Sequence, residues 1–295
     1  PVAVVFCYKS RPPGPAASSG PARRHSDDFS DRRRSARLRG VVREQRLVFG
    51  EVAELYDKAR PTYPRALIDH LTELAGPRGR VLDVGCGTGK ATVLLAARGL
   101  SGVGLEPDVE MATVARRNLG QFPSWSVATG DFEDYHAELP EGPFDLLTSA
   151  QAWHWLDPRR RFQLAAGLLR SGGWLALFWN RTADDASAVR RDVDAVYTEL
   201  FPGLSHHGTL TAGRPPAGLP PPDAGFGVAA WQVFPWVRRY TTTEWTDLAQ
   251  THSDHRMLGA DQRRLLLDRL SAVIDAHGGI YDHPYNCWLW TARRL

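Results

Sequence analysis

Val81-Leu82-Asp83-Val84-Gly85-Cys86-Gly87-Thr88-Gly89-Lys90 decides how this chain is read. An apolar run ends in an acid, and three glycines then alternate with small residues. Ala91 to Arg98 has a helical composition, and Gly99 stops it. The order strand, glycine turn, helix brings a ligand against the backbone, because glycine has no Cβ to hold it away. Twenty-one residues after Gly85 stands Glu106, closing a second short apolar run from Gly102 to Leu105. An acid at that point can accept hydrogen bonds from both hydroxyls of a ribose. Together these features point to a nucleoside-bearing cofactor on an α/β sheet.

Three kinds of glycine turn compete. A mononucleotide phosphate loop needs Gly-x4-Gly-Lys-[Ser/Thr]; here Val84 stands at its first position and Ala91 at its last. A dinucleotide turn needs Gly-x-Gly-x-x-Gly; here the third glycine comes one residue early, at Gly89, and Lys90 takes its place. Asp83, two residues before the first glycine, would also face a pyrophosphate unfavourably. Asp-x-Gly-x-Gly-x-Gly suits a ligand without phosphates. The run resembles motif I of the class I S-adenosylmethionine methyltransferases. That resemblance implies a Rossmann-like three-layer α/β sandwich, with a seven-stranded, mostly parallel sheet and an antiparallel last strand. It implies S-adenosylmethionine as cofactor, with S-adenosylhomocysteine as product. Within the turn, Asp83, Gly85, Cys86, Gly87 and Gly89 would hold the methionine part, and Glu106 with Pro107 the ribose side.

The rest of the chain extends the likeness over roughly residues 48–295. Phe49, Val52, Ala53 and Tyr56 are spaced as one face of a helix. The helix leads into Tyr56-Asp57-Lys58-Ala59-Arg60-Pro61-Thr62-Tyr63-Pro64, where two prolines end it. In the resembled family this element lies over the cofactor, which implicates Tyr56 and Arg60; an ordinary surface helix is the other reading. Pro64 to Ala75 reads as a core helix. Met111 opens the helix after Glu106-Pro107, either against an adenine face or as plain core. Trp125 to Ala128 reads as the third strand. In the Gly130-Asp131-Phe132 that follows, the resemblance gives Asp131 the adenine amino group and Phe132 the ring; Asp131 also reads as a loop cap.

Phe144 to Ser149 is the fourth strand, and ligands of open α/β sheets sit beyond such carboxyl ends. Gln151-Ala152-Trp153-His154-Trp155 follows. It resembles the Gln-Ala-x-His-Trp run of small-molecule methyltransferases related to the quinone, trans-aconitate and natural-product enzymes. Gln151 would then reach the cofactor. His154 is the candidate general base, since imidazole titrates near neutrality, or else a wall of the pocket. Trp153 and Trp155 either line an aromatic acceptor site or fill core. Trp174 to Trp179 reads as the fifth strand, residues 181–200 as helical, and Gly213 to Gly227 as a loop. Residues 181–230 are expected to cover the substrate. Trp231 to Tyr240 and Tyr285 to Leu295 read as the last two strands, with helices over Thr243 to Gln250 and Asp261 to His277 between them.

Composition fits one large domain, 47–295, after a basic extension. Residues 1–46 hold 11 Lys+Arg against 4 Asp+Glu, and the remainder 25 against 29. Pro, Ser, Gly and Arg dominate the extension, which reads as disordered. Arginine outnumbers lysine 33 to 3 along the whole chain, which suggests coding bias more than a nucleic-acid arm. Three isolated cysteines argue for a reducing compartment and against a zinc site. No apolar run approaches the ~20 residues of a membrane helix, and Val2 to Cys7 is too short for a secretory signal. The expectation is a cytoplasmic methyltransferase without a metal, acting on a small molecule. Two competitors stand beside it: a non-catalytic binder of the same cofactor, and an RNA or protein methyltransferase using the basic tail.

Overall fold

The strands nearest the glycine turn are apolar on both faces, which is what a parallel sheet covered by helices on both sides requires. The computed structural model of the chain describes residues 6–7, 52–135, 143–201, 220–221 and 223–295. Its strands are β1 (Phe6–Cys7), β2 (Arg80–Val84), β3 (Ser101–Glu106), β4 (Trp125–Thr129), β5 (Phe144–Ala150), β6 (Leu169–Thr182), β7 (Ala230–Thr241) and β8 (Ile280–Arg293). They form one sheet in the order β1-β7-β8-β6-β5-β2-β3-β4. Four pairs, from β4 across to β6, are parallel. β8 runs antiparallel to β6 on one side and to β7 on the other. The expected seven strands are all present. Phe6–Cys7 adds an eighth, two residues long, antiparallel to Ala230–Trp231 at the edge. The extension read as disordered therefore contributes these two residues to the sheet; the rest of it lies outside the described residues.

The helices before and between the parallel strands are α1 (Ala53–Ala59), α2 (Arg65–Ala75), α3 (Lys90–Ala96), α4 (Val109–Leu119), the short α5 (Phe132–Tyr135) and α6 (Arg161–Leu168). Along β6, Leu175, Leu177 and Trp179 pack on one face with Val84, Phe144 and Phe162. Ala176 and Phe178 pack on the other with Leu67, Leu71 and Leu95. This strict alternation makes the three layers, because successive side chains of a strand point to opposite faces.

β6, β7 and β8 run on past the carboxyl ends of their neighbours. The register holds to Thr182↔Tyr285 and Thr241↔Ile280. On this arm pack α7 (Ala188–Leu200), α8 (Thr242–Gln250), α9 (Ser253–Arg256) and α10 (Ala260–Ala276). A separate apolar cluster holds them, including Tyr197, Trp245, Leu266 and Tyr281. Thr241 starts α8 with a capping box completed by Glu244. Residues 181 and 182, read as the start of a helix, instead finish β6.

Candidate functional site

The turn after β2 is built by glycine conformations. Gly85, Gly87 and Gly89 have φ of +69°, +59° and +84°. A Cβ on Gly85 would stand 2.4 Å from the Cβ of Ala152, so only glycine fits there. The backbone N–H groups of Gly85 and Cys86 both donate to the carbonyl of Leu105, at 2.8 and 3.1 Å. Glu106 fastens the same turn from the next strand. One of its carboxylate oxygens accepts from the N–H of Gly87 at 2.9 Å, the other from the N–H of Asp108 at 3.1 Å. Asp108 in turn caps α4, accepting from the N–H groups of Glu110 and Met111.

Above this turn lies a cavity of about 410 Å³. The turn contributes Gly85 to Thr88, and β3 contributes Glu106 followed by Pro107. Met111 and Phe132 face it from α4 and α5, and Tyr56 and Arg60 from the strap around α1. Gln151, His154 and Trp155 wall it beyond β5. Thr88 has a buried hydroxyl that meets no hydrogen-bond partner among the described residues. The strap is tied down on the far side of the cavity. Arg60 lies over the Tyr56 ring at 5.1 Å and donates to the carbonyl of Thr251 at 2.8 Å, while Lys58 pairs with Asp247 at 2.8 Å.

Four expected site residues stand elsewhere. Asp83 is fully buried beneath the turn. Its carboxylate accepts from the hydroxyls of Thr92 and Thr148, at 2.6 and 2.8 Å, and so ties β2 to α3 and β5. Burial pushes its carboxyl up, against the pull of the two hydroxyls. It supports the turn and does not face the cavity. Gly89 is the N-cap of α3, also away from the cavity. Asp131 is not among the lining residues, although Gly130 and Phe132 on either side of it are. Trp153 is completely buried, packed against Phe162 at 5.2 Å and beneath the guanidinium of Arg161. It is core.

His154 and Trp155 complete a single turn of 3-10 helix, with their rings 4.7 Å apart. The turn is entered through Gln151, a non-glycine residue held at φ +59°, in the strained region where functional loops are often found. Gln151 donates from its backbone to Phe178 and from its side chain to the carbonyl of Asn180. The imidazole of His154 does not titrate near neutrality as expected. Burial, followed by the charges of Arg181 and Arg161, lowers its pKa to about 4. The residue keeps an exposed face, so solvent softens the burial part. His154 is neutral at pH 7.

The far half of the cavity was missed from sequence. Asn180 and Thr182 line it from the end of β6, and His283 and Tyr285 from β8. Trp245 and His252 to Asp254 close it from α8 and α9. Asn180 donates to the carbonyl of Thr62 and accepts from the Trp236 indole. His283, enclosed by aromatic rings that include Trp245 and Tyr285, has its pKa pushed down to about 3, chiefly by burial. Of the range 181–230, Thr182 lines the cavity and residues 183–201, 220, 221 and 223–230 do not; the remainder of the expected cover lies outside the described residues. No group of three or more His, Cys, Asp or Glu side chains that could hold a metal occurs among the described residues. No helix among them is long and apolar enough to cross a membrane.

A parallel sheet whose antiparallel last strand is inserted beside its fifth, with a glycine turn and a paired acid over its central strands, defines the class I methyltransferase fold. A family model described as a methyltransferase domain matches residues 82–177. An uncharacterized methyltransferase of Mycobacterium tuberculosis is 33% identical over 235 residues, 80% of this chain and 88% of its own length. One from Geobacillus thermodenitrificans is 31% identical over 169 residues, 54% of this chain and 76% of its own. A solved structure from Anaeromyxobacter dehalogenans, described as a type II methyltransferase candidate, is 25% identical with a TM-score of 0.53. That alignment spans 79% of this chain and 97% of the other. The chain belongs to the methyltransferase family.

Proposed function

We propose that the chain transfers the methyl group of S-adenosylmethionine to an O, N or C nucleophile of a small molecule. The observation that carries this reading is one continuous cavity. It joins the glycine turn and Glu106 at one end to His154, Thr182 and His283 at the other. Its volume suits a small ligand. The turn fits the cofactor on three counts: the glycine backbone of Gly85 and Gly87 that lines the cavity, the orphan hydroxyl of Thr88, and a glycine spacing that is not that of a phosphate turn. Gly85 to Thr88 would hold the methionine part and Glu106 the ribose hydroxyls, with Met111 and Phe132 against the adenine.

When bound, the cofactor supplies a methyl carbon on a positively charged sulfur, open to in-line attack by a nucleophile. The chain's own task is alignment and exclusion of water. The Tyr56–Arg60 strap, tied to α8, closes the cavity from above. Trp155 and Tyr56 offer aromatic faces that attract a cation. His154, neutral and flanked by two arginines, is a weak proton acceptor. It suits a nucleophile that needs little deprotonation, and it shapes the wall on which the acceptor is aligned. We place the protein in the cytoplasm.

The test is calorimetry with S-adenosylhomocysteine, followed by a labelled-methyl screen of small-molecule extracts. Binding of the nucleoside and transfer of label to a low-mass product is the expected result. A preference for NAD or ATP would remove the assignment. Nucleoside binding without transfer to any acceptor would favour a regulator, and salt-sensitive transfer to RNA would favour the tail-dependent reading.

A further inference from the structure

Arg60 touches both halves of the cavity. It is the C-cap residue of α1 and lines the cavity beside Tyr56. Its guanidinium lies over the Tyr56 ring at 5.1 Å. Its Nη2 donates to the carbonyl of Thr251, 191 positions further along the chain, at 2.8 Å. Thr251 is fully buried and ends α8. The next three residues, His252, Ser253 and Asp254, are cavity wall. His252 is also the N-cap of α9. A residue on the cofactor side of the cavity therefore holds the backbone immediately before the wall on the acceptor side.

Arg60 and Lys90 are the two residues with an ammonium or guanidinium group that line the cavity. Lys90 has the Asp57 carboxylate at 4.0 Å. Arg60 forms an ion pair with no carboxylate among the described residues, and its Nε is buried and meets no hydrogen-bond partner there. A half-buried cation held only by a carbonyl and a ring face is open to an anion, because part of its hydration is already lost. S-adenosylmethionine and S-adenosylhomocysteine both carry a carboxylate at the amino-acid end. The other ties of the strap do not join the two halves in this way. Lys58 pairs with Asp247 at 2.8 Å, and Arg238 donates to the carbonyl of Ala59 at 3.1 Å. Neither Lys58 nor Arg238 lines the cavity.

We propose that Arg60 is a positioning residue that couples the two ligands, so that cofactor binding sets the wall at His252–Asp254 and the acceptor binds second. This rests on the reading that the glycine-turn end holds the cofactor and the far end the acceptor. The cofactor's carboxylate holds the guanidinium, the guanidinium holds the Thr251 carbonyl, and that carbonyl fixes the start of α9. The coupling is reciprocal, so an acceptor in place tightens the cofactor by the same factor.

The test is hydrogen exchange on the full chain, with and without saturating S-adenosylhomocysteine, with saturation of each variant checked by calorimetry. The N–H groups of Arg256 and Met257, which donate to the carbonyls of His252 and Ser253 at 3.0 and 3.3 Å, report the wall. In the wild type the nucleoside should slow their exchange by about fivefold or more. In Arg60→Gln the saturating nucleoside should still slow exchange at Gly85 to Thr88 but leave the wall amides unchanged. Arg60→Met, which keeps the aliphatic stem, repeats the test if the Gln variant fails to fold. Lys58→Met, which cuts the strap's surface tie alone, should keep the wild-type response. A purely structural tie would protect the wall equally in both states, so no nucleoside effect there in the wild type overturns the inference. Equal slowing in the Arg60 variants would show direct contact between nucleoside and wall, and loss of the effect in Lys58→Met would assign it to the strap as a whole; either result overturns it. Failure of the wild type to bind the nucleoside would instead remove the methyl-transfer reading beneath it.

Discussion

Gly85→Ala should test the glycine turn by two separable costs. Gly85 sits at φ +69°, where a residue with a Cβ loses about 1–2 kcal/mol. The added Cβ would also stand 2.4 Å from the Ala152 Cβ, and forcing apart a packed contact of that kind costs about 1–3 kcal/mol. The single variant should therefore lose about 2–5 kcal/mol, which for a domain of this size is roughly 4–20 °C in melting temperature. The next nearest atom to the new Cβ is the Ala152 Cα at 3.9 Å, an ordinary contact. Ala152→Gly should thus relieve the clash and leave the backbone cost. In a double-mutant cycle followed by thermal and urea denaturation, Gly85→Ala/Ala152→Gly should recover about 1–3 kcal/mol relative to additivity. Nucleoside affinity should follow the same pattern, because Gly85 and Cys86 hang the turn from Leu105. Additivity within about 0.5 kcal/mol would refute the claim that Ala152 and the turn share this space.

Glu106→Ala should weaken S-adenosylhomocysteine binding by roughly 10–150-fold in calorimetry, the loss of about 1.5–3 kcal/mol of charged hydrogen bonding. Glu106→Gln should not rescue it, since one carboxamide N–H would confront the N–H of Gly87 or Asp108; a Gln variant with wild-type affinity would contradict the observed anchoring. Asp83 has its carboxyl raised by burial, so its protonated form is the one the fold prefers. Stability from this group is full below the unfolded value near 3.8 and declines as pH rises through the folded value. Asp83→Asn should accordingly melt at or above wild type at pH 7, and a fall of several degrees would reverse that sign. His154, its pKa lowered to about 4 against 6.5, costs stability as pH falls from 6.5 towards 4 and contributes no titration above that window. Turnover with an identified acceptor should be flat through neutrality, and His154→Ala should lower kcat by less than about tenfold while leaving nucleoside affinity intact. A drop of ~10²–10⁴ together with a rate that rises near pH 6.5 would restore it as a general base.

The parallel half of the sheet and its turn were legible because each local signal agreed with the global one. Apolar runs, glycines and the acid at Glu106 all serve the same crossover. Asp83 was misread because acidity in a motif does not say which way the side chain points; Thr92 and Thr148, which hold it, are far apart in sequence. The arm was legible only in part. Arg181-Thr182 is polar and was read as the start of a helix, yet with Asn180 it ends a strand paired to Tyr285–Cys287. The last strand was read from Tyr285, but it starts at Ile280, and Pro284 sits opposite Val237 within the β7–β8 pairing. Polar residues at strand ends break the apolar pattern where a cavity needs them, so the cavity wall from β6 and β8 was hidden in the sequence while the scaffold was legible.

The insertion of β8 between β6 and β7 bears on how the chain is made. Trp174 to Thr182 pairs along its outer edge with Tyr285 to Arg293, and residues 183–279 must be synthesised in between. At ordinary ribosomal speed that interval is about 5–20 s. Throughout it the nascent β2–β6 layer carries an open edge rich in Trp, Leu and Phe, the kind of edge that pairs with strangers. Fast translation of the arm, or a holding chaperone during it, should therefore govern soluble yield more than the intrinsic stability of the finished fold does.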